Sequence, residues 1–191
     1  MVRHWLSIVT LGALLVAPAA LAAPAVTETI VYYDIKGATP QDIRAQMREL
    51  GPTDFTEGKH YDANTRWNVS WKYNYANTGQ GCSISTAYTT VKVTITIPRL
   101  QDVSAPAALK QSFDDYTKNL LVHEKGHGQT AIDIARKIED RLVAMPPQPS
   151  CDRMGKAANE LGNALIKEAN QADIDYDART QHGRTQGARF P

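Results

Sequence analysis

The chain has 191 residues, 42% hydrophobic and 21% charged, with 21 Lys and Arg against 20 Asp and Glu and a formal net charge of +1. That length fits one domain with at most a short appendage. The balance of charge lacks the basic excess of a nucleic-acid-binding domain, and past the N-terminal segment no apolar run is long enough for stable membrane insertion.

Residues 1–23 hold Arg3, the apolar run Leu6 to Leu15 and the small-residue stretch Ala20-Leu21-Ala22-Ala23. These are the three regions of a secretory signal peptide, with cleavage expected after Ala22 or Ala23. The apolar run is short for a membrane anchor and meets Pro18. The expectation is a soluble mature chain, secreted or periplasmic, formally neutral once Arg3 is gone. In such an oxidising compartment Cys82 and Cys151 are expected to form a disulfide, since neither has the C-x-x-C neighbour of a metal site.

Glu28 to Ile35 is rich in β-branched and aromatic residues and predicts a strand. Thr39 and Pro40 then open a short helix, with Ile43, Met47 and Leu50 on one face and Gly51-Pro52 as its stop. Residues 53–64 predict a loop containing His60. Trp67, Val69, Trp71, Tyr73 and Tyr75 alternate with polar residues, the period of a half-buried strand whose aromatics belong to the core. After turn residues Asn77 to Gly81 the alternation resumes from Cys82 to Ile97 and predicts a hairpin partner.

Ser104-Ala105-Pro106 opens a helical pattern that lasts to about Met145, where Pro146-Pro147-Gln148-Pro149 ends it. About forty residues is long for one globular helix, so a kink or break is expected before Asn119. Ser150 caps a second helix reaching about Ala172, and Asp173 to Pro191 reads as a polar stretch with little to order it except a ligand. The fold class is α+β: a small, mostly antiparallel sheet with one short helix, followed by a long helix and a second C-terminal helix.

The long helix carries His123-Glu124-Lys125-Gly126-His127, an H-E-x-x-H motif. Residues four apart lie one above the other on a helix, so both imidazoles can aim at one metal ion while Glu124 reaches a neighbouring water. Leu120, Ile134, Ile138 and Leu142 fall within roughly a quarter-turn of the histidines at about 100 degrees per residue, which makes the histidine face the buried one. Gly126 and Gly128 each cost about 1 kcal/mol against alanine in a helix interior, a sign that something packs closely there.

Catalytic zinc takes three protein ligands and leaves one position open. Asp133 is poorly placed for the third, pointing about 120 degrees or more away on an unbroken helix. Glu160 on the following helix is one alternative, and the stretch Asp175-Tyr176-Asp177-Ala178-Arg179-Thr180-Gln181-His182-Gly183, dense in potential ligands, is the other.

Y-D-x-x-T-x-H-G following a helical H-E-x-x-H, with an exported N-terminus and a W-x-V-x-W-x-Y strand, resembles the bacterial family of domain of unknown function 922, described as predicted secreted zinc-dependent proteases. The resemblance spans roughly Ile30 to Gly183. It implies a zincin-like metallopeptidase domain over residues 24–183 with residues 184–191 as a tail. It also implies zinc ligands at His123 and His127 and Glu124 as catalytic base, and favours His182 as third ligand ahead of Glu160 and Asp177.

The activity expected is hydrolysis of a peptide or protein substrate by a zinc-activated water, with Glu124 as general base and Tyr176 donating to the developing oxyanion. Asp175 or Asp177 is expected to fix the outer nitrogen of a liganding histidine. Two rival readings use the same metal: a non-catalytic envelope protein that zinc stabilises, and a zinc amidase acting on cell-wall peptides.

Overall fold

The computed structural model describes residues 23–54, 58–77, 79–101 and 105–191. The expected leader therefore lies outside the described residues apart from Ala23, as does the helix cap expected at Ser104. Ala25–Ile35 form β1, Pro40–Leu50 α1, Thr53–Asp54 β2, Lys59–His60 β3, Asn64–Asn77 β4, Cys82–Leu100 β5, Ala107–Val143 α2 and Cys151–Thr180 α3, and a 3-10 turn follows at Arg184–Gln186. The class is α+β.

The main sheet has the order β1-β5-β4. β4 and β5 make the expected antiparallel hairpin, with Trp67 opposite Val93 and Asn77 opposite Cys82. β1 instead runs parallel to β5, from Ala25 opposite Thr90 to Ile35 opposite Leu100, so the sheet is mixed. A run of β-branched and aromatic residues looks the same in either ladder, which is why the residues of β1 did not disclose its direction.

Val91, Val93, Ile95 and Ile97 of β5 are buried on the face that α2 covers. Ile134, Ile138 and Leu142 of α2 with Met154 and Leu165 of α3 complete that core. Glu139 is buried too, and its Oε1 accepts hydrogen bonds from the backbone N–H and hydroxyl of Thr89 at 2.6 and 2.7 Å, fastening α2 to β5. A second cluster joins Ile43 and Met47 of α1 to Phe113, Tyr116 and Leu120 of α2. α1 starts as read, with Thr39 accepting from the Asp42 N–H and Asp42 accepting from the Thr39 N–H.

Two expectations about the helices are corrected. α2 is one helix of 37 residues with no break before Asn119, because the two core clusters feed its underside along its whole length. α3 does not stop near Ala172 but continues to Thr180. Asp173, Tyr176, Asp177 and Thr180 follow the spacing of one helix face, and that face finds polar partners on α2 rather than solvent. Beyond it, Gly183 and Gly187 take left-handed conformations that turn the chain back. Ala188 and Phe190 are then buried in the second cluster, and Arg44 donates to the Phe190 carbonyl at 2.7 Å. The segment set apart as a tail is packed into the fold.

Cys82 and Cys151 are joined as a disulfide, tying the start of β5 to the start of α3. No helix among the described residues is long and apolar enough to cross a membrane.

Candidate metal centre

His123 and His127 stand one turn apart on the buried side of α2, 3% and 9% exposed. Asp177 of α3 meets both: its Oδ1 lies 3.0 Å from His123 Nε2 and 3.2 Å from His127 Nε2. One ligand atom from each of the three lies within 4.8 Å of the others, which makes them, among the described residues, a group able to hold a metal ion.

The outer nitrogens of both rings are occupied by oxygen. His127 Nδ1 is 3.0 Å from Asp173 Oδ1, and Asp173 Oδ2 accepts the Trp67 indole N–H at 2.7 Å. His123 Nδ1 is 3.0 Å from Gln186 Oε1, and Gln186 donates from Nε2 to the Tyr176 hydroxyl at 3.0 Å. An oxygen at Nδ1 holds the proton there and leaves the Nε2 lone pair facing inward. Two lone pairs and a carboxylate oxygen converging on one point require a proton or a cation between them. Two imidazoles and one carboxylate are a donor set that suits zinc.

Without a metal the protons fill that role. Burial pushes the His127 pKa down, but Asp173 and Asp177 outweigh it and hold the ring at about 10. Burial pushes Asp177 up, and its contacts with His123 and His127 bring it below the usual carboxylate range.

Glu124, next to His123 on the helix, is 4% exposed, and the Thr65 hydroxyl of β4 donates to its Oε2 at 2.7 Å. Burial raises its pKa, opposed by that hydrogen bond and by the two histidines. All of these groups except Tyr176, Gln186 and Trp67 line a cleft of about 660 Å³ that extends to Arg44, Asp62 and Phe190. At its far end Asp62 is paired with Arg44 and accepts the Tyr116 hydroxyl. Burial, and then the charge of Asp62, keep the Tyr116 phenol well above its ordinary pKa.

Of the residues proposed from the sequence, His123, His127 and Glu124 come together as expected, and Asp177 takes the third position. His182 stands beside the group: its side chain is 65% exposed, with Nδ1 3.4 Å from Asp177 Oδ1. Gln181 and His182 are in the left-handed conformation that ends α3, which carries His182 toward solvent. Glu160 is exposed in the first half of α3, more than four turns before Asp177. Asp133 faces solvent, paired with Arg136.

Tyr176 is not turned into the cleft. Its ring stacks on His123 with centroids 5.0 Å apart, and its hydroxyl donates to the His123 carbonyl at 3.3 Å. It fills the space that Gly126 leaves, where a Cβ would come 2.2 Å from the Tyr176 oxygen. Asp175 bonds Gln171 on the exposed side, and the carboxylate that fixes a histidine from outside is Asp173.

Sequence reasoning passed over Asp173, Trp67, Gln186 and Thr65. A signal for Asp173 was present: Asp173 and Asp177 are four apart, matching the spacing of His123 and His127 on the facing helix. No curated protein and no solved structure matches the chain. Residues 30–183 match the model of the family described as bacterial protein of unknown function (DUF922), a span that takes in both histidines, Glu124, Asp173 and Asp177, and the chain belongs to that family.

Proposed function

We propose that the protein is an exported zinc-dependent peptidase in which His123, His127 and Asp177 hold the metal and Glu124 handles the proton. The observation that carries this reading is the position of Glu124: a buried carboxylate adjoining the metal group and opening on the same cleft. His123, His127 and Asp177 would hold the zinc, which when bound would supply Lewis-acid polarisation of a peptide carbonyl and a lowered pKa for water.

The chain's own residues do the rest. Glu124 accepts a proton from water and returns it to the departing amine, a task that suits a carboxylate whose pKa burial has raised. Thr65 fixes the orientation of that carboxylate. Asp173 with Trp67, and Gln186 with Tyr176, hold the two imidazoles in the tautomer that offers Nε2. The partner on this reading is a peptide or protein segment lying in the cleft.

Purified mature protein should bind one zinc per chain and cleave members of a mixed peptide library. Glu124→Gln should keep the zinc and lose about 10²- to 10⁴-fold in rate. Undiminished cleavage by that variant removes Glu124 from the mechanism, and a metal-free protein without affinity for zinc ends the reading.

One observation favours a second reading: the metal group bridges α2 to the last turns of α3. A purely structural zinc would cross-link those helices, and chelation would lower stability in a protein without hydrolytic activity. Digestion of isolated cell wall, compared with the peptide library, separates an amidase from a general peptidase.

A further inference from the structure

The carboxylates that line the cleft are each matched. Asp62 has Arg44 and Tyr116, Asp173 has His127 and Trp67, Asp177 has both histidines, and Glu124 has Thr65. Two of its three arginines are not. Arg44 is engaged by Asp62 and by backbone oxygens of Phe190 and Pro191. Arg184 and Arg189 also line the cleft, are exposed, and reach no carboxylate among the described residues.

The Arg189 side chain is held against the backbone of Arg184. Arg189 Nε donates to the Arg184 carbonyl at 3.0 Å, and among the described residues the terminal nitrogens of neither arginine meet a hydrogen-bond acceptor. Their turn is anchored at the metal group itself: Gln186 bonds His123, and Gly183 packs so closely on His123 that a Cβ there would come 3.0 Å from the histidine Cβ. A guanidinium fork matches a carboxylate in two parallel hydrogen bonds, more strongly than it matches a neutral amide.

We infer that Arg184 and Arg189 form a carboxylate-binding subsite beside the metal group, so that the cleft selects peptides presenting a carboxylate. The carboxylate comes from an acidic side chain or from a free peptide C-terminus. This rests on the peptidase reading above.

The test uses four versions of one cleavable peptide on the zinc-loaded protein, carrying Glu or Gln at one position and a free or amidated C-terminus. The wild type should favour a carboxylate-bearing version over the fully neutral one by about tenfold in kcat/KM, carried mainly by KM. The preference should shrink as salt is added. In an Arg184→Gln, Arg189→Gln double variant it should fall to within about twofold, and the double Lys variant should retain part of it. Each preference is a ratio within one protein, so it is independent of the fraction folded. Dependence on amidation identifies the terminal carboxylate as the source, and dependence on Glu against Gln identifies the side chain. Equal rates on all four peptides, or a preference that survives the double variant, overturns the subsite.

Binding of the same peptides, fluorescently labelled, to Glu124→Gln separates this inference from the reading beneath it. If none of the four is cleaved by wild type, the peptidase reading fails. A carboxylate preference in binding that the arginine substitutions abolish then still supports the subsite, and binding without any charge preference overturns it.

Discussion

The indole N–H of Trp67 on β4 is donated to Asp173 on α3 at 2.7 Å, and the other oxygen of that carboxylate meets His127 on α2. Sheet and both long helices are thereby joined in one line that ends on a metal-group nitrogen. Asp173→Ala should lower zinc affinity by about 10- to 100-fold, the usual effect of removing a carboxylate behind a liganding histidine. Trp67→Phe removes only the donor behind that carboxylate and should cost less. Competition against a chelator of known affinity measures both. Unchanged affinity in Asp173→Ala would show that His127 needs no such support.

Zinc binding should release protons. His127 is held at about 10, above the ordinary value of 6.5 for histidine. In the metal-free protein its charged pairing with Asp173 and Asp177 therefore contributes stability that is fully present below about pH 6.5 and lost as pH rises through about 10. At pH 7 the ring is protonated, and a metal needs it neutral. Binding should displace about one proton from this site, and apparent affinity should climb close to tenfold per pH unit over that range. Calorimetric titration in two buffers of different ionisation enthalpy reads the proton count directly. An enthalpy independent of the buffer contradicts a protonated His127.

The parts of the fold that rest on periodicity were legible. The buried stripe of α2 and the H-E-x-x-H spacing specify the same face, and His123 and His127 lie on it beside Leu120, Ile134 and Ile138. The pairing of Cys82 with Cys151 followed from an even cysteine count and the reading of the first 23 residues. What failed was the reading of polar residues. Asp173 to Thr180 looked like tail because polarity is the same whether the partner is water or another helix. Trp67 does pack against the core as read, but its bond to Asp173 was hidden because that acceptor lies 106 positions away in the chain. The density of ligands near His182 points to the right neighbourhood, but the four-residue spacing of Asp173 and Asp177 selects Asp177 only once that segment is helical.

Reducing the disulfide should destabilise the fold by up to about 4 kcal/mol, the chain-entropy value for closing a loop of this size, since the two cysteines are 69 positions apart. The measured loss should be smaller. Residual structure in the unfolded reduced chain lowers the measured value, and Cys82 and Gln148, which exchange two backbone hydrogen bonds at 2.8 and 2.9 Å, keep the folded corner in place without the sulfurs. Urea denaturation of the Cys82→Ser, Cys151→Ser double variant gives the figure. No loss at all would mean that the corner is specified by its backbone alone.

Gly126 and Gly128 sit in the same helix but should respond differently to alanine. On propensity alone each substitution would stabilise α2 by about 1 kcal/mol. At Gly126 the new Cβ would stand 2.2 Å from the Tyr176 oxygen and 2.4 Å from its ring. That ring cannot retreat, because it is stacked on His123 and its hydroxyl is bonded to the His123 carbonyl and to Gln186. Overpacking of this kind costs about 1–3 kcal/mol, so Gly126→Ala should be destabilising on balance and should weaken zinc binding by displacing Gln186. At Gly128 the nearest atom is a methyl of Val93 at 3.2 Å, a contact that a small shift relieves, so Gly128→Ala should be close to neutral. Combining Gly126→Ala with Tyr176→Ala should remove the penalty, which a double-mutant cycle in urea measures. A Gly126→Ala variant more stable than wild type would show that Tyr176 does not occupy the space beside His123.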